Sequence, residues 1–228
     1  MKTLVIAPHM DDETLGVGGA IWKMRNEGCE VVVMAITAGV GQDEWDEFAE
    51  KRMHEFGDAA ETLRFNPMDE RYYNHNEFFG MDQALDDVHL PELARFIEEF
   101  VWIEKPDSIM MPFIGDLNRD HRVVAEATLL ACRPHKYVGT IAMYEVPETT
   151  SIGLQPFRPN IYIDIGTTLD GFQPLQRKLE AVRCYESQRE PDRHPRSERS
   201  VEAIAKTRGS ESGFFAAEAL QMVRSQIR

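Results

Sequence analysis

A short apolar segment near the amino terminus runs directly into a cluster of charged side chains. Leu4–Ala7 has the composition of a buried β-strand, and Pro8–Glu13 follows it with the sequence PHMDDE. Open α/β sheets place their ligands beyond the carboxyl ends of the strands, which is where this cluster falls. Carboxylates at a buried strand end need solvation or a neutralising partner, and a divalent cation is one such partner. An imidazole together with carboxylates suits zinc.

A second polar loop follows another apolar segment in the middle of the chain. Ser108–Ile114 has the composition of a strand, and Asp116–Arg122 follows it with the sequence DLNRDHR. Two such loops from neighbouring parallel strands meet at one edge of a sheet. His9, one aspartate of the first cluster and His121 would then provide three ligands and leave a position for water, as in catalytic zinc sites. Spacing alone does not choose the aspartate.

The two motifs resemble the signature of the LmbE/PIG-L family of zinc-dependent N-deacetylases, Pro-His-x-Asp-Asp-Glu followed much later by Asp-His. Further segments are similar to the family, namely Gly16–Ala20, Arg52-x-x-Glu55, Lys178–Gln188 and Arg208–Ala219. The resemblance therefore covers most of the chain. It implies an α/β fold, a Rossmann-like three-layer sandwich with a mainly parallel sheet.

The resemblance also implies a role for each residue of the two motifs. His9, Asp12 and His121 are expected to bind Zn²⁺, and Asp11 is expected to act as the general base for a metal-activated water. Asn118 stands where many family members carry a histidine. An amide donates a hydrogen bond but does not titrate, so we expect Asn118 to contribute to catalysis without moving a proton. Residue types alone do not separate zinc from iron.

Two further residues are predicted to contact the substrate. Arg52 resembles a family position that faces the substrate, and its guanidinium suits sugar hydroxyls or a phosphate. An exposed i, i+3 pair with Glu55 is the alternative. His194 lies in the charged, proline-interrupted segment Glu190–Arg196, which could lean over the site or form an ordinary surface loop. A set of aromatic residues is expected to form a sugar-stacking lip, core packing or a subunit interface: Tyr72, Tyr73, Phe78 and Phe79.

The remaining pattern alternates between strands and helices. The predicted strands are Lys2–Ala7, Glu30–Thr37, Ser108–Pro112, Thr140–Val146 and Asn160–Ile165. The predicted helices are Thr14–Gly28, Asp43–Phe65, Leu90–Glu104, His121–Ala131, Gly171–Ser187 and Ser197–Lys206. Asn66–Asp87 is predicted to be a loop with short helical pieces, and Phe214–Ile227 a tail. This order predicts an α/β three-layer architecture, with residues 1–228 forming a single domain.

Composition argues against several functional classes. A net charge of -14 disfavours nucleic acid and anionic membranes as partners. We expect no membrane insertion, because no segment approaches the roughly 20 apolar residues of a membrane helix, and no signal peptide is visible. The three cysteines lack metal-ligand spacing and are expected to be thiols in a reducing cytoplasm. Gly16-x-Gly18-Gly19 lacks the spacing of a dinucleotide-binding loop.

We therefore expect a cytoplasmic zinc hydrolase that removes an acetyl group from an N-acetylated amino sugar linked to a nucleotide, lipid or small thiol carrier. An amidase with the same machinery, acting on a thiol-conjugate or antibiotic substrate, is one alternative. A non-catalytic metal- or sugar-binding relative is a second, although pure binding does not require Asp11. The sequence is compatible with a homo-oligomer and does not identify the sugar or the carrier.

Overall fold

A seven-stranded sheet forms the centre of the computed structural model, which describes residues 1–38, 45–68, 85 and 88–226. The strands are β1 (Lys2–His9), β2 (Glu30–Thr37), β3 (Asn66–Pro67), β4 (Ser108–Pro112), β5 (Thr140–Tyr144), β6 (Ile161–Asp164) and β7 (Ala217–Ser225). Their order across the sheet is β3-β2-β1-β4-β5-β7-β6. The first five are parallel, and β7 runs antiparallel between β5 and β6. The predicted mainly parallel, Rossmann-like sheet is confirmed.

Helices cover both faces of this sheet. Those in the described part are α1 (Asp12–Asn26), α2 (Trp45–Leu63), α3 (Leu90–Glu104), α4 (Arg119–Ala131), α5 (Pro174–Cys184) and α6 (Glu198–Ser212). Helix α5 contacts α1, α2 and α6, whereas α3 packs against α4, so the two groups form separate layers. None of the helices in the described ranges is long and apolar enough to cross a bilayer.

The order of the strands determines where a ligand-binding crevice can form in the sheet. The chain moves outward from β1 through β2 to β3, then returns to the other side of β1 to form β4 and β5. Neighbouring strands therefore send their connections in opposite directions between β1 and β4, which opens a crevice at their carboxyl ends. Leu4–Ala7 at the centre of β1 is fully buried, as expected for a parallel strand covered on both faces.

Helix α1 is broken after its first turn. Val17 departs from helical geometry, with φ -137° and ψ 22°. The backbone groups freed by the break bind a buried ion pair brought from elsewhere in the chain. Lys178 Nζ donates to the carbonyl of Leu15 at 2.7 Å, and the Glu218 carboxylate accepts from the backbone N–H groups of Gly19–Ala20 at 3.0 and 2.7 Å. The first turn of α1 thus has an orientation of its own.

Glycine at the start of α1 permits close packing on the sheet. A Cβ atom at Gly16 would lie 2.4 Å from Cδ2 of Tyr144. The Tyr144 hydroxyl donates to the carbonyl of Ile6 at 2.8 Å, which holds the ring between β1 and α1. A close approach of helix and sheet therefore explains this glycine without any nucleotide.

Several predicted elements differ from the structure near the site. Helix α4 begins at Arg119, two residues earlier than predicted, because the Asn118 side chain caps it. Helix α1 begins at Asp12, not Thr14, so both acids of its first turn lie near the helix amino terminus, where negative charge is favourable. The segment predicted as one helix from Gly171 to Ser187 is α5 followed by a separate 3₁₀ turn at Glu186–Gln188.

Two segments predicted without strands contribute to the sheet. Ala217–Ser225 was predicted to lie in a tail, but it pairs with strands on both of its sides. Asn66–Pro67 was predicted to lie in a loop, but it pairs with β2 at the edge. Most of the remaining segment up to Asp87, including the aromatic set Tyr72, Tyr73, Phe78 and Phe79, lies outside the described residues.

Candidate functional site

Three of the predicted site residues converge where the crevice opens. His9 ends β1, Asp12 begins α1, and His121 lies in the first turn of α4. One ligand atom from each of these three residues lies within 4.8 Å of the other two. The two polar loops, more than 100 residues apart in sequence, therefore meet as predicted from the parallel strands. The group is one that could hold a metal ion.

Asp12 lies between the two imidazoles. Its Oδ2 atom is 3.2 Å from His9 Nδ1 and 3.2 Å from His121 Nε2. Burial would raise the pKa of Asp12, but the adjacent imidazoles outweigh burial and lower it below its usual range. Two imidazole nitrogens directed at one ionised carboxylate form a donor set that fits a zinc-type divalent ion.

A second pair of carboxylates lies on the outer sides of the imidazoles. Asp120 Oδ2 is 3.0 Å from His9 Nε2, and Asp116 Oδ1 is 3.4 Å from His121 Nδ1. A hydrogen-bonded partner such as Asp120 fixes the ring orientation and tautomer of a metal-binding histidine, whereas His121 Nδ1 has an ion-pair contact with Asp116 but no hydrogen bond among the described residues. Sequence reasoning assigned no role to Asp116 or Asp120, although both lie within the DLNRDHR segment. Their signal was acidic residues placed one and five positions before His121.

Both imidazoles are strongly basic in the metal-free protein. Burial opposes their protonation, but the surrounding carboxylates outweigh it and raise the pKa of His9 to about 9 and that of His121 to about 10. Both imidazoles are therefore protonated near neutral pH when no metal is bound. A metal ion that binds here must displace two protons.

Asp11 lines the same cavity as the three candidate ligands but is not part of their group. Its Oδ2 atom lies 3.7 Å from Arg52 Nη1 and 3.8 Å from Arg196 Nη1. Burial raises the pKa of Asp11, and the positive charges of Arg52 and Arg196 partly oppose that shift. The backbone at Asp11 has φ 131°, an uncommon conformation for a residue with a side chain, which typically costs about 1–3 kcal/mol. Strain of this kind is consistent with a functional residue.

Arg52 is buried, so the alternative of an exposed pair with Glu55 does not describe it. Its side chain is 2% exposed, its Nε donates to the carbonyl of Ala38 at 3.2 Å, and its Nη2 donates to the carbonyl of Met10. Among the described residues, Nη1 has no hydrogen-bond partner. Glu55 instead accepts from the backbone N–H and hydroxyl of Ser187 at 2.7 and 2.5 Å.

Glu13 forms hydrogen bonds that hold the strained backbone at Asp11. Its carboxylate accepts from the backbone N–H of Asp11 at 3.1 Å and from the hydroxyls of Thr14 and Tyr185 at 2.6 and 2.5 Å. Burial raises the pKa of Glu13 to about 7 despite these hydrogen bonds. Glu13 therefore holds Asp11 in place through the backbone.

Asn118 lies at the entrance of the second loop and lines the same cavity as Asp11. Its Oδ1 atom accepts from the backbone N–H of Asp120 at 2.9 Å and caps α4. Because the cap fixes the amide, Nδ2 is the polar atom left to donate elsewhere. The backbone N–H of Asn118 itself donates to Asp116 Oδ1 at 2.8 Å.

The loop predicted to lean over the site places Arg196, rather than His194, at the cavity wall. His194 is not among the lining residues, and its Nε2 lies 3.6 Å from Glu148 Oε1. Arg196 lines the cavity, with Nε 3.3 Å from Glu148 Oε2 and Nη2 3.6 Å from Glu190 Oε1. Sequence reasoning did not single out Arg196; the only signal was its place in the charged EPDRHPR segment.

These residues enclose one polar cavity of about 310 Å³. His9, Asp12 and His121 lie on its wall together with Asp11 and Asn118. The protein is of the α/β class. Its cavity combines a His-Asp-His group with a further buried carboxylate, and these are the side chains that a metal-dependent hydrolase requires.

A family model described as PIG-L: GlcNAc-PI de-N-acetylase matches residues 4–132. The match spans more than half of the chain and includes both polar loops. The chain therefore belongs to the PIG-L family. The predicted membership and the prediction of an amide-hydrolysing enzyme are confirmed.

Known relatives match most of the chain. A diacetylchitobiose deacetylase of Thermococcus kodakarensis is 29% identical over 239 residues, covering 97% of this chain and 83% of the relative. A probable N-acetyl-alpha-D-glucosaminyl L-malate deacetylase 2 of Bacillus subtilis is 27% identical over 194 residues, covering 82% and 83%. The solved structure of an N,N'-diacetylchitobiose deacetylase from Pyrococcus horikoshii shares the fold, with a TM-score of 0.73, 22% identity and coverage of 97% and 83%.

Proposed function

We propose that this chain is a zinc-dependent hydrolase that removes the acetyl group from an N-acetylated amino sugar or its conjugate. His9, Asp12 and His121 would hold the Zn²⁺ ion. The carrying observation is the arrangement of the two adjacent aspartates, since Asp12 is directed at both imidazoles while Asp11 faces the same cavity without joining them. Family membership and the sugar deacetylases among the relatives support this substrate class.

The chemistry divides between the ion and the chain. When bound, a zinc ion supplies Lewis acidity and a water whose pKa is lowered to about 7. Asp11 accepts the proton as the water oxygen bonds to the amide carbonyl carbon. Asp11 then returns the proton to the nitrogen as the C–N bond breaks. The products are acetic acid and the free amine, which become acetate and an ammonium ion by transfer of the second water proton, so atoms and charge balance.

Two side chains are proposed to assist Asp11. The Nδ2 group of Asn118 donates a hydrogen bond to the carbonyl oxygen as negative charge develops there. Arg52 keeps Asp11 charged and offers its remaining Nη1 donor to a polar group of the substrate. His194 was predicted as a substrate contact, and its position next to Glu148 allows it to act through that carboxylate.

Detection of free amine on a panel of amides tests this function. The panel contains N-acetylglucosamine, diacetylchitobiose, N-acetylglucosaminyl conjugates, and amides of a thiol conjugate and a glycopeptide antibiotic. We expect amine and acetate in equal amounts from at least one N-acetyl sugar, with loss of activity in Asp11→Asn and retention in the exposed control Asp58→Asn. Cleavage restricted to the thiol conjugate or antibiotic would favour the amidase alternative. No cleavage would favour a binding protein.

A further inference from the structure

A second cavity adjoins the polar one on the far side of Asp11. Its volume is about 200 Å³, and Asp11, Gln188 and Arg196 line both cavities. Its other walls come from the first turn of α1, the end of α5, the start of α6 and the charged loop residues Arg189, Glu190 and Asp192. A group bound in this second cavity would therefore lie beside the reacting centre.

One part of the second cavity, which we call its floor, is less polar than the rest. Leu15 and Val182 line it, together with Thr14 and Tyr185. The hydroxyls of Thr14 and Tyr185 both donate to Glu13 Oε1, at 2.6 and 2.5 Å. These two hydroxyls are therefore already engaged as donors. The floor thus suits an apolar group adjacent to the catalytic carboxylate.

Two of the arginines that line the second cavity, Arg183 and Arg196, lie close to carboxylates of the chain. Arg183 Nε donates to Glu198 Oε2 at 2.9 Å. Arg196 lies within 4 Å of carboxylate oxygens of Asp11, Glu148 and Glu190. The charges of these two guanidinium groups are therefore already offset by carboxylates, although Arg196 Nε has no hydrogen-bond partner among the described residues.

We propose that the second cavity binds the acyl group of the amide and accepts chains longer than acetyl. This inference rests on the proposed function. An N-acyl amino sugar has a polyhydroxylated arm and a hydrocarbon arm on either side of the reacting carbonyl. The polar cavity suits the first arm, and the cavity floored by Leu15 and Val182 suits the second. Its volume of about 200 Å³ greatly exceeds a methyl group, which is about the size of a ~30 Å³ water molecule.

Chain length should therefore affect turnover in a graded manner. Burial of one methylene group gains up to about fourfold in kcat/KM if its contact is kept in the transition state. We expect kcat/KM to rise from N-acetyl to N-propionyl to N-butyryl glucosamine, measured as free amine released by the metal-loaded full chain. The Val182→Phe substitution fills the cavity and should lower the butyryl-to-acetyl ratio at least tenfold. Val123→Phe on α4, an equally half-buried site that lines neither cavity, should leave the ratio unchanged.

Each outcome decides the inference. A change of less than tenfold in Val182→Phe, or no wild-type turnover of the butyryl amide, would overturn it while leaving deacetylation intact. If Val182→Phe does not fold, Val182→Ala enlarges the cavity and should raise the hexanoyl-to-acetyl ratio at least threefold, and a smaller rise would overturn the inference. Loss of the proposed function itself is distinguishable, because wild type would then release no amine from the acetyl sugar either.

Discussion

Lys178 and Glu218 form a buried ion pair, with Nζ and Oε1 2.6 Å apart and both side chains at most 5% exposed. The pair takes the place of helical hydrogen bonds where α1 breaks. It thereby sets the direction of the turn that carries Asp12. Residues in α5 and β7 thus position a candidate metal ligand located more than 160 residues earlier in the chain.

Breaking this pair should be costly. Removal of one partner from a buried ion pair leaves an uncompensated charge and typically costs about 3–5 kcal/mol. We expect Lys178→Met to lower the free energy of unfolding in urea by this amount, and Lys178→Met with Glu218→Gln to lower it less. Arg183→Met, which breaks a more exposed pair with Glu198, should cost about 1 kcal/mol or less. Equal effects of Lys178→Met and Arg183→Met would contradict a special role for the buried pair.

The adjacent aspartates should separate into two roles. Asp11→Asn should retain metal near wild-type content while kcat falls on the order of 10²-fold or more, because a proton acceptor is lost. Asp12→Asn should lose metal and activity together. Metal analysis and single-turnover kinetics on both variants make the comparison. Zinc loss in Asp11→Asn would mean that the two carboxylates share or exchange their roles.

Asn118 should show a catalytic and a structural effect that can be separated. Asn118→Ala removes both the amide donor and the cap of α4, so we expect kcat to fall roughly 10- to 1,000-fold and stability to fall by about 1 kcal/mol. Asn118→Ser keeps a capping oxygen and should restore stability but only part of kcat. Asn118→His should add an ionisation near about 6 to 7 to the pH profile. Equal kcat in wild type, Ala and His variants would leave Asn118 with the cap alone.

Local motifs made the centre of the site predictable. His9, Asp11 and Asp12 follow a recognisable buried strand, and His121 follows a second one, so parallel topology alone brings the loops together. Bounds of β2, β4 and α3 also matched their predictions, because each has a clear apolar pattern and flanking breakers.

The parts that were missed depend on tertiary contacts. Ala217–Ser225 lacks strict alternation and becomes a strand because β5 and β6 pair with it from both sides. Asp120 reaches His9 only because α4 starts at Arg119, and that start depends on the Asn118 cap. Arg196, and not His194, lines the cavity because of the path of one irregular loop. A periodic sequence pattern does not predict the path of such a loop.

Metal affinity should rise steeply with pH. Two imidazoles with pKa values of about 9 and about 10 must lose their protons to bind a metal, so affinity should rise up to about 100-fold per pH unit between about pH 6 and 8. Competition with a chromogenic chelator measures this slope. A flat response would contradict displacement of two protons.

Stability of the metal-free protein should follow the opposite trend. Because both folded pKa values lie above the unfolded value near 6.5, the imidazoles stabilise the fold fully below about pH 6.5. That contribution is lost as the pH rises through about 9 and 10. Urea unfolding in the presence of chelator at several pH values provides the measurement.

Titration of the metal-free protein with Zn²⁺, with amine release from an N-acetyl sugar as the readout, tests the central proposal most directly. We predict negligible activity without metal, a linear rise with added Zn²⁺ and a break at one equivalent per chain. His121→Ala should show neither tight binding nor activity. Full activity in the presence of chelator, or stoichiometric tight zinc binding by His121→Ala, would contradict a catalytic zinc held by His9, Asp12 and His121.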